Sequence, residues 1–297
     1  MMRESGDDTV GGDFAIEPLS GRHVPGVLLA LTEAYGSGFD ENWFDWKHRQ
    51  NPLGSSPGWV AIDDQGVVGV RLFLPWRFTD GDVTVWALRP CDTVTVARAR
   101  RRGVFQALTT FALDSVADSS DLIFNTPNRS SLPGYLKMGF TPWTLVRQYV
   151  GAGIRSRARL DKGTSVFPER IDRAGFATDV DRAFLEWRYE RIPTASYEAA
   201  ALRSSSSPVG VIYRVRTWRE RRLLVISESW GETRELRTLL GSVARHEDAR
   251  LARVTAAARS TLPFRLRGTP TQVTCKSLSG KQHPPPLLSL GDIEDVL

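Results

Sequence analysis

The chain has 297 residues, a formal net charge of +5, 41% hydrophobic and 25% charged residues. That is the balance of a globular protein long enough for a sizeable core and for two domains of about 100–200 residues each. No run reaches the roughly 18 apolar residues of a membrane span. No dense Lys/Arg block with interleaved aromatics marks a nucleic-acid groove. The two cysteines, Cys91 and Cys275, lie too far apart for a zinc motif, and His23, His48, His246 and His283 share no ligand spacing, so no metal is expected.

Residues 1–13 read as a disordered lead, neither signal peptide nor anchor, which makes the cytoplasm the default location. Helical apolar periodicity follows over Val24–Tyr35 and, in shorter form, over Trp43–Arg49 before Asn51-Pro52. Strands are expected at Trp59–Ile62 and Val67–Phe78 across the turn Asp63-Asp64-Gln65-Gly66, and again at Val83–Leu88 after Asp80-Gly81. A central strand over Asp92–Val96 leads through a basic loop into a helix from Val104 to about Val116. Leu122–Asn125 then reads as a strand, Ser131–Met138 as a short helix and Leu145–Val150 as the last strand of the unit. Strands first, then alternating strand and helix, describe an α/β mixed sheet flanked by helices. Glycine and alternating arginines over 151–162 mark a linker.

The second half repeats the first in order. Phe184-Leu185-Glu186-Trp187-Arg188-Tyr189 parallels Trp43-Phe44-Asp45-Trp46-Lys47-His48, and each is followed by a strand, a turn and a Val-Gly-Val strand. Arg259-Ser260-Thr261-Leu262-Pro263 likewise parallels Arg129-Ser130-Ser131-Leu132-Pro133. A duplicated fold is expected, with domains at 14–150 and 163–283 and a tail at 284–297. The copies differ at one place: Arg100-Arg101-Arg102-Gly103 in the first is replaced by Trp230-Gly231-Glu232-Thr233-Arg234-Glu235 in the second. A glycine at a helix start with arginines before it can cradle an anion through free backbone N–H groups, whereas acidic groups there repel one. The second unit is therefore expected to pack against the first, to shape the acceptor side or to mediate homodimerisation.

The stretch Arg100-Arg101-Arg102-Gly103-Val104-Phe105 resembles the pyrophosphate loop of the GNAT acyltransferase family, Arg/Gln-x-x-Gly-x-Gly/Ala, departing from it at Phe105. Asn128, Tyr135 and Gly139-Phe140 are similar to that family's Asn-x6-Tyr-x3-Gly-Phe arrangement. The layout resembles a tandem pair of such domains with a degenerate second one. The resemblance implies transfer of an acyl group, most often acetyl, from acetyl-CoA or another acyl-CoA to a small-molecule primary amine by direct attack.

It also implies roles. Backbone N–H groups of Arg101 through Phe105 hold the pyrophosphate, with Arg100 and Arg102 as charged partners. The strand splays near Thr95 and Val96, where an N–H of Val94 or Val96 polarises the thioester. Asn128 contacts the cofactor or orients the second helix, Ser131 adjoins it, and Tyr135 protonates the leaving thiolate or packs beneath the sheet. For the base, Asp92 is the best placement; Glu33, Glu228 and the C-terminal carboxylate of Leu297 are weaker ones. Glu33 and the aromatic pair Trp76 and Trp86 are candidate acceptor contacts. Two other readings stand beside this one: an aminoacyl-tRNA-dependent transferase of related tandem fold, and a non-catalytic CoA-binding protein.

Overall fold

A computed structural model describes residues 13–153, 155–203 and 208–294. The chain divides into two compact units. One comprises residues up to Trp76, Trp86–Phe140 and Lys276–Gln282; the other comprises Arg77–Val85, Thr141–Cys275 and His283 onward. The residues before Asp13 and the C-terminal carboxylate of Leu297 lie outside the described residues.

The first unit runs β1 (Ala15–Pro18), α1 (Val24–Tyr35), α2 (Glu41–Phe44), β2 (Gly58–Asp63), β3 (Gly66–Asp80), β4 (Val83–Thr95), α3 (Val104–Ser115), β5 (Leu122–Asn125) and α4 (Leu132–Lys137). The strand order is β1-β2-β3-β4-β5, antiparallel from β1 to β3 and parallel between β4 and β5. Asp40 accepts a hydrogen bond from the Trp43 N–H to cap α2, which continues into a π turn over Asp45–Arg49. In β3 the residues from Val68 through Trp76 are all buried. A strand buried on both faces carries no polar alternation. Gly69 lets α3 approach closely, because a Cβ there would meet Val104 Cγ1 at 2.6 Å.

The second unit contains β6 (Thr141–Val146), β7 (Gln148–Ala152), β8 (Leu160–Lys162), β9 (Arg170–Ile171), β10 (Ala177–Thr178), β11 (Val180–Asp181), α5 (Arg182–Leu185), β12 (Glu198–Leu202), β13 (Gly210–Trp218), β14 (Arg221–Trp230), α6 (Thr233–His246), β15 (Leu251–Thr255), β16 (Phe264–Arg267), β17 (Thr271–Ser277) and α7 (Leu290–Ile293). Its own sheet has the order β16-β7-β15-β14-β13-β12-β8 and is mixed, with β14 and β15 parallel. Leu236, Leu239, Leu240 and Val243 of α6 pack on Tyr213, Leu224 and Val254 of that sheet. The chain thus has two mixed α/β sheets, each flanked by helices, as expected for paired GNAT-like domains. Among the described residues no helix is long and apolar enough to cross a membrane.

Two local expectations are corrected. Val83–Leu88 and the expected strand over Asp92–Val96 form a single strand, β4, which ends at Thr95 and is interrupted only by the positive φ of 45° at Asp92. Leu145–Val150 is two strands divided at Arg147, because β6 pairs with β17 while β7 pairs with β15 and β16. Those partners come from more than 100 residues along the chain by register (Val146 with Thr271, Tyr149 with Val254), so local periodicity carries no sign of the division.

Candidate active site

The loop after β4 ends at Gly103, whose φ of 79° makes it the left-handed N-cap of α3. No side chain caps this helix. Its first backbone bond runs from the Ala107 N–H to the Gly103 carbonyl at 3.0 Å. The N–H groups ahead of Ala107 therefore point out of the helix end, and a Cβ on Gly103 would meet nothing within 4 Å. Exposed Arg100 and Arg101 flank this opening. Open space, aligned N–H groups and arginines fit a pyrophosphate.

Arg102 is engaged otherwise: it lies 3.3 Å from Asp13 and 3.7 Å from Asp63. Arg98 also pairs with Asp63, holding that carboxyl below its usual range. Asp13, Asp63, Asp64, Gln65, Arg98 and Arg102 line a cavity of about 530 Å3 beside the loop. Glu33, on α1, accepts a hydrogen bond from the Ala97 N–H at 3.2 Å and so tethers the start of the loop.

The parallel register of β4 with β5 pairs Ala87 with Leu122 and Leu88 with Ile123, and Arg89–Thr95 continue beyond it. Val94 and Val96 are buried and Thr95 half-buried at this end. The Val96 N–H already donates to the Val68 carbonyl at 3.0 Å, so it is not free to polarise a carbonyl.

Tyr135, on α4, is buried, and its hydroxyl accepts a hydrogen bond from Arg71 Nη1 at 2.8 Å. Phe105 stands edge-on to its ring at 6.3 Å and Phe140 at 5.0 Å. The Phe105 side chain that departs from the family's small residue thus packs the wall around the tyrosine. Asn128 Oδ1 accepts from the Ser130 and Ser131 N–H groups at 3.0 and 2.9 Å, and Ser131 is the N-cap of α4. In this structure Asn128 orients the helix that carries Tyr135.

Asp92 is placed otherwise than a base requires. One carboxylate oxygen lies 2.6 Å from Lys47 Nζ and 3.1 Å from His48 Nε2, and the side chain is 11% exposed. Burial alone would raise its pKa, but the Lys47 ammonium and the His48 ring outweigh it and hold the carboxyl far below the usual range. A carboxylate so stabilised is too weak a base for an ammonium ion. His48, Cys91 and Asp92 place potential metal ligands within 4.8 Å of one another. The Lys47 ammonium already sits against that carboxylate, so the set does not fit a second cation.

Trp76 is fully buried, edge-on to Phe124 at 5.7 Å, and presents no surface to an acceptor. Trp86 is 45% exposed, with its backbone N–H donating to Asp121. Glu228, in the second unit, is fully buried and accepts from the hydroxyls of Tyr189 and Ser289, each at 2.8 Å, and from Arg173. It borders a cavity of about 350 Å3 between β14, β15 and residues 286–289. Lys47, His48 and Arg71 were not singled out by sequence reasoning as site residues. The parallel of Lys47-His48 with Arg188-Tyr189 was the available signal for the first two; a lone arginine in an apolar strand was the signal for the third.

Residues 15–143 match the model of the acetyltransferase (GNAT) domain family. The chain has the GNAT fold. It is similar to a probable N-acyltransferase from Enterococcus faecalis V583 (TM-score 0.71, 13% identity, 90% of this chain and 72% of that one). It is also similar to a GCN5-related N-acetyltransferase from Anabaena variabilis (0.69, 13%, 89% and 73%) and to Eis1 from Mycobacterium abscessus (0.63, 13%, 89% and 73%). No curated protein matches the chain in sequence. At 13% identity these likenesses show a shared fold.

Proposed function

We propose that the first unit is an N-acyltransferase that moves an acetyl group from acetyl-CoA to a primary amine of a small molecule by direct attack. The observation that carries this reading is the open, uncapped N-terminus of α3 behind a left-handed Gly103, with the Tyr135 hydroxyl on the neighbouring helix. Backbone N–H groups at Val104 and Phe105, with Arg100 and Arg101, would hold the pyrophosphate, and the bound thioester would supply the acyl group. Tyr135 delivers the proton that leaves with the thiol. A thiol is a tolerable leaving group, so this proton matters less than it would for an alcohol.

The second unit is read as a degenerate copy of the same domain. An Asp-capped α5 followed by a π turn over Glu186–Glu190 repeats α2 and its π turn, and β14–α6–β15 repeats β4–α3–β5. Glu232 occupies the N-cap of α6 where Gly103 caps α3, which favours a single CoA site.

Incubation with acetyl-CoA and a pooled amine panel, followed by free-thiol release and product mass, tests this reading. Thiol release with acetylated amine is expected, and Tyr135→Phe is expected to lower kcat by about 10²-fold. Failure to bind acetyl-CoA at millimolar concentration refutes the cofactor assignment. Binding without turnover on any amine favours the non-catalytic reading.

A further inference from the structure

Arg71 lies in the middle of β3 and is fully buried. Its Nη1 donates to the hydroxyls of Thr93 and Tyr135 at 2.7 and 2.8 Å, and its Nη2 to that of Thr109 at 2.7 Å. The rings of Phe73, Phe105 and Tyr135 lie 5.7, 5.4 and 5.5 Å from its guanidinium carbon. Nε is buried without a hydrogen-bond partner. Among the described residues no carboxylate pairs with Arg71, so a permanently charged guanidinium sits in the core with neutral hydroxyls as its hydrogen-bond partners. Such a charge costs stability, and an apolar residue of similar volume serves packing as well or better.

The three acceptors are not equivalent. Thr109 also donates to the Phe105 carbonyl at 2.6 Å, and Thr93 to the Cys91 carbonyl at 3.3 Å, so each has a second bond without Arg71. The Tyr135 oxygen accepts from Arg71, which turns its single O–H away from the guanidinium.

We propose that Arg71 is a positioning residue for acyl transfer: it fixes the Tyr135 oxygen as an acceptor, aims the O–H at the leaving sulfur and supplies the charge facing the phenolate left behind. This rests on the acyl-transfer reading above. In the step concerned, the amine nitrogen bonds to the acyl carbon and the C–S bond breaks with its electron pair on sulfur. The Tyr135 proton moves to that sulfur, and the proton shed by the nitrogen returns through solvent to restore the phenol. During that interval the lone buried cation becomes half of a neutral pair, so the site stabilises the reacting state more than the resting one.

The test compares Arg71→Met and Arg71→Lys, each in the wild-type and the Tyr135→Phe background, by kcat, KM for acetyl-CoA and Tm. Arg71→Met is expected to lower kcat by about 10²-fold, with KM for acetyl-CoA within about threefold and Tm not reduced. Arg71→Lys is expected to restore part of kcat. In the Tyr135→Phe background the Met substitution is expected to change kcat by less than about threefold, because both act on one proton transfer. Wild-type kcat in Arg71→Met, or a loss that multiplies with Tyr135→Phe or follows a fall in Tm without rescue by lysine, overturns the proposal while leaving acyl transfer intact. A wild-type protein that turns over no amine with acetyl-CoA overturns the acyl-transfer reading itself, and the proposal with it.

Discussion

Asp92 shows how one residue's role is set by neighbours distant in sequence. Its position at the central strand makes it look like a base, yet Lys47 and His48 fix its carboxylate at 2.6 and 3.1 Å. His48 is itself buried, which lowers its pKa against the opposing pull of Asp92, and its Nδ1 lies 3.0 Å from Ser56 Oγ. Asp92 is therefore the anion that joins the π turn to β4. Asp92→Asn leaves Lys47 buried without its counter-ion, and the expected cost is about 3–5 kcal/mol, read as a lowered urea midpoint. A large fall in turnover with unchanged stability would instead return Asp92 to the chemistry. The carboxylate's stabilisation is present above an unfolded pKa of about 3.9 and disappears only as pH falls below that value towards the lower native one.

At the scale of elements, the repeated helix and π turn act in both units as a bracket for an acidic group on a strand. In the first, Lys47 and His48 meet Asp92 on β4. In the second, Tyr189 stands where His48 does and donates to Glu228 on β14 at 2.8 Å. The sequence parallel located both turns but not what they hold, because the acids lie 44 and 39 residues further on by number (His48 with Asp92, Tyr189 with Glu228). The other decisive element is the start of α3. Alanine at Gly103 finds room for its Cβ but not a favourable backbone, since φ is 79°. The strain is about 1 kcal/mol, and if the turn relaxes, the N–H groups lose their common aim. Gly103→Ala is expected to weaken acetyl-CoA binding by about tenfold, measured by calorimetry, with little change in far-UV circular dichroism. Equal affinity in the variant would move the anion site away from this turn.

For the molecule as a whole, the second unit carries its own titrating centre. Burial pushes Glu228 up to about 7 and Asp292 adds to the rise, while Arg173 opposes it. A native pKa above the unfolded value of about 4.3 means that the folded state holds a proton the unfolded state has lost. The resulting stabilisation is complete below pH 4.3 and is lost as pH rises to about 7. The Tm of the wild type relative to Glu228→Gln is accordingly expected to fall between pH 5 and pH 7, followed by differential scanning fluorimetry. A constant difference across that range would mean that Glu228 does not change protonation there.

The sequence by itself determined the periodic helices and most of the strands of the first unit, the repeated order of segments and the glycine-arginine loop that opens α3. These are local properties: side-chain period, turn chemistry and backbone freedom act over a few residues. It also put Tyr135 on a short helix, because the pattern that carries it is contiguous. Only the tertiary structure decided which charges meet. It committed Asp92 to Lys47 and His48, buried Trp76, engaged the Val96 N–H and set Arg71 against Tyr135. Burial and ion pairing depend on residues brought together from far along the chain, and the identity of a carboxylate or an arginine says nothing of the partner it will find.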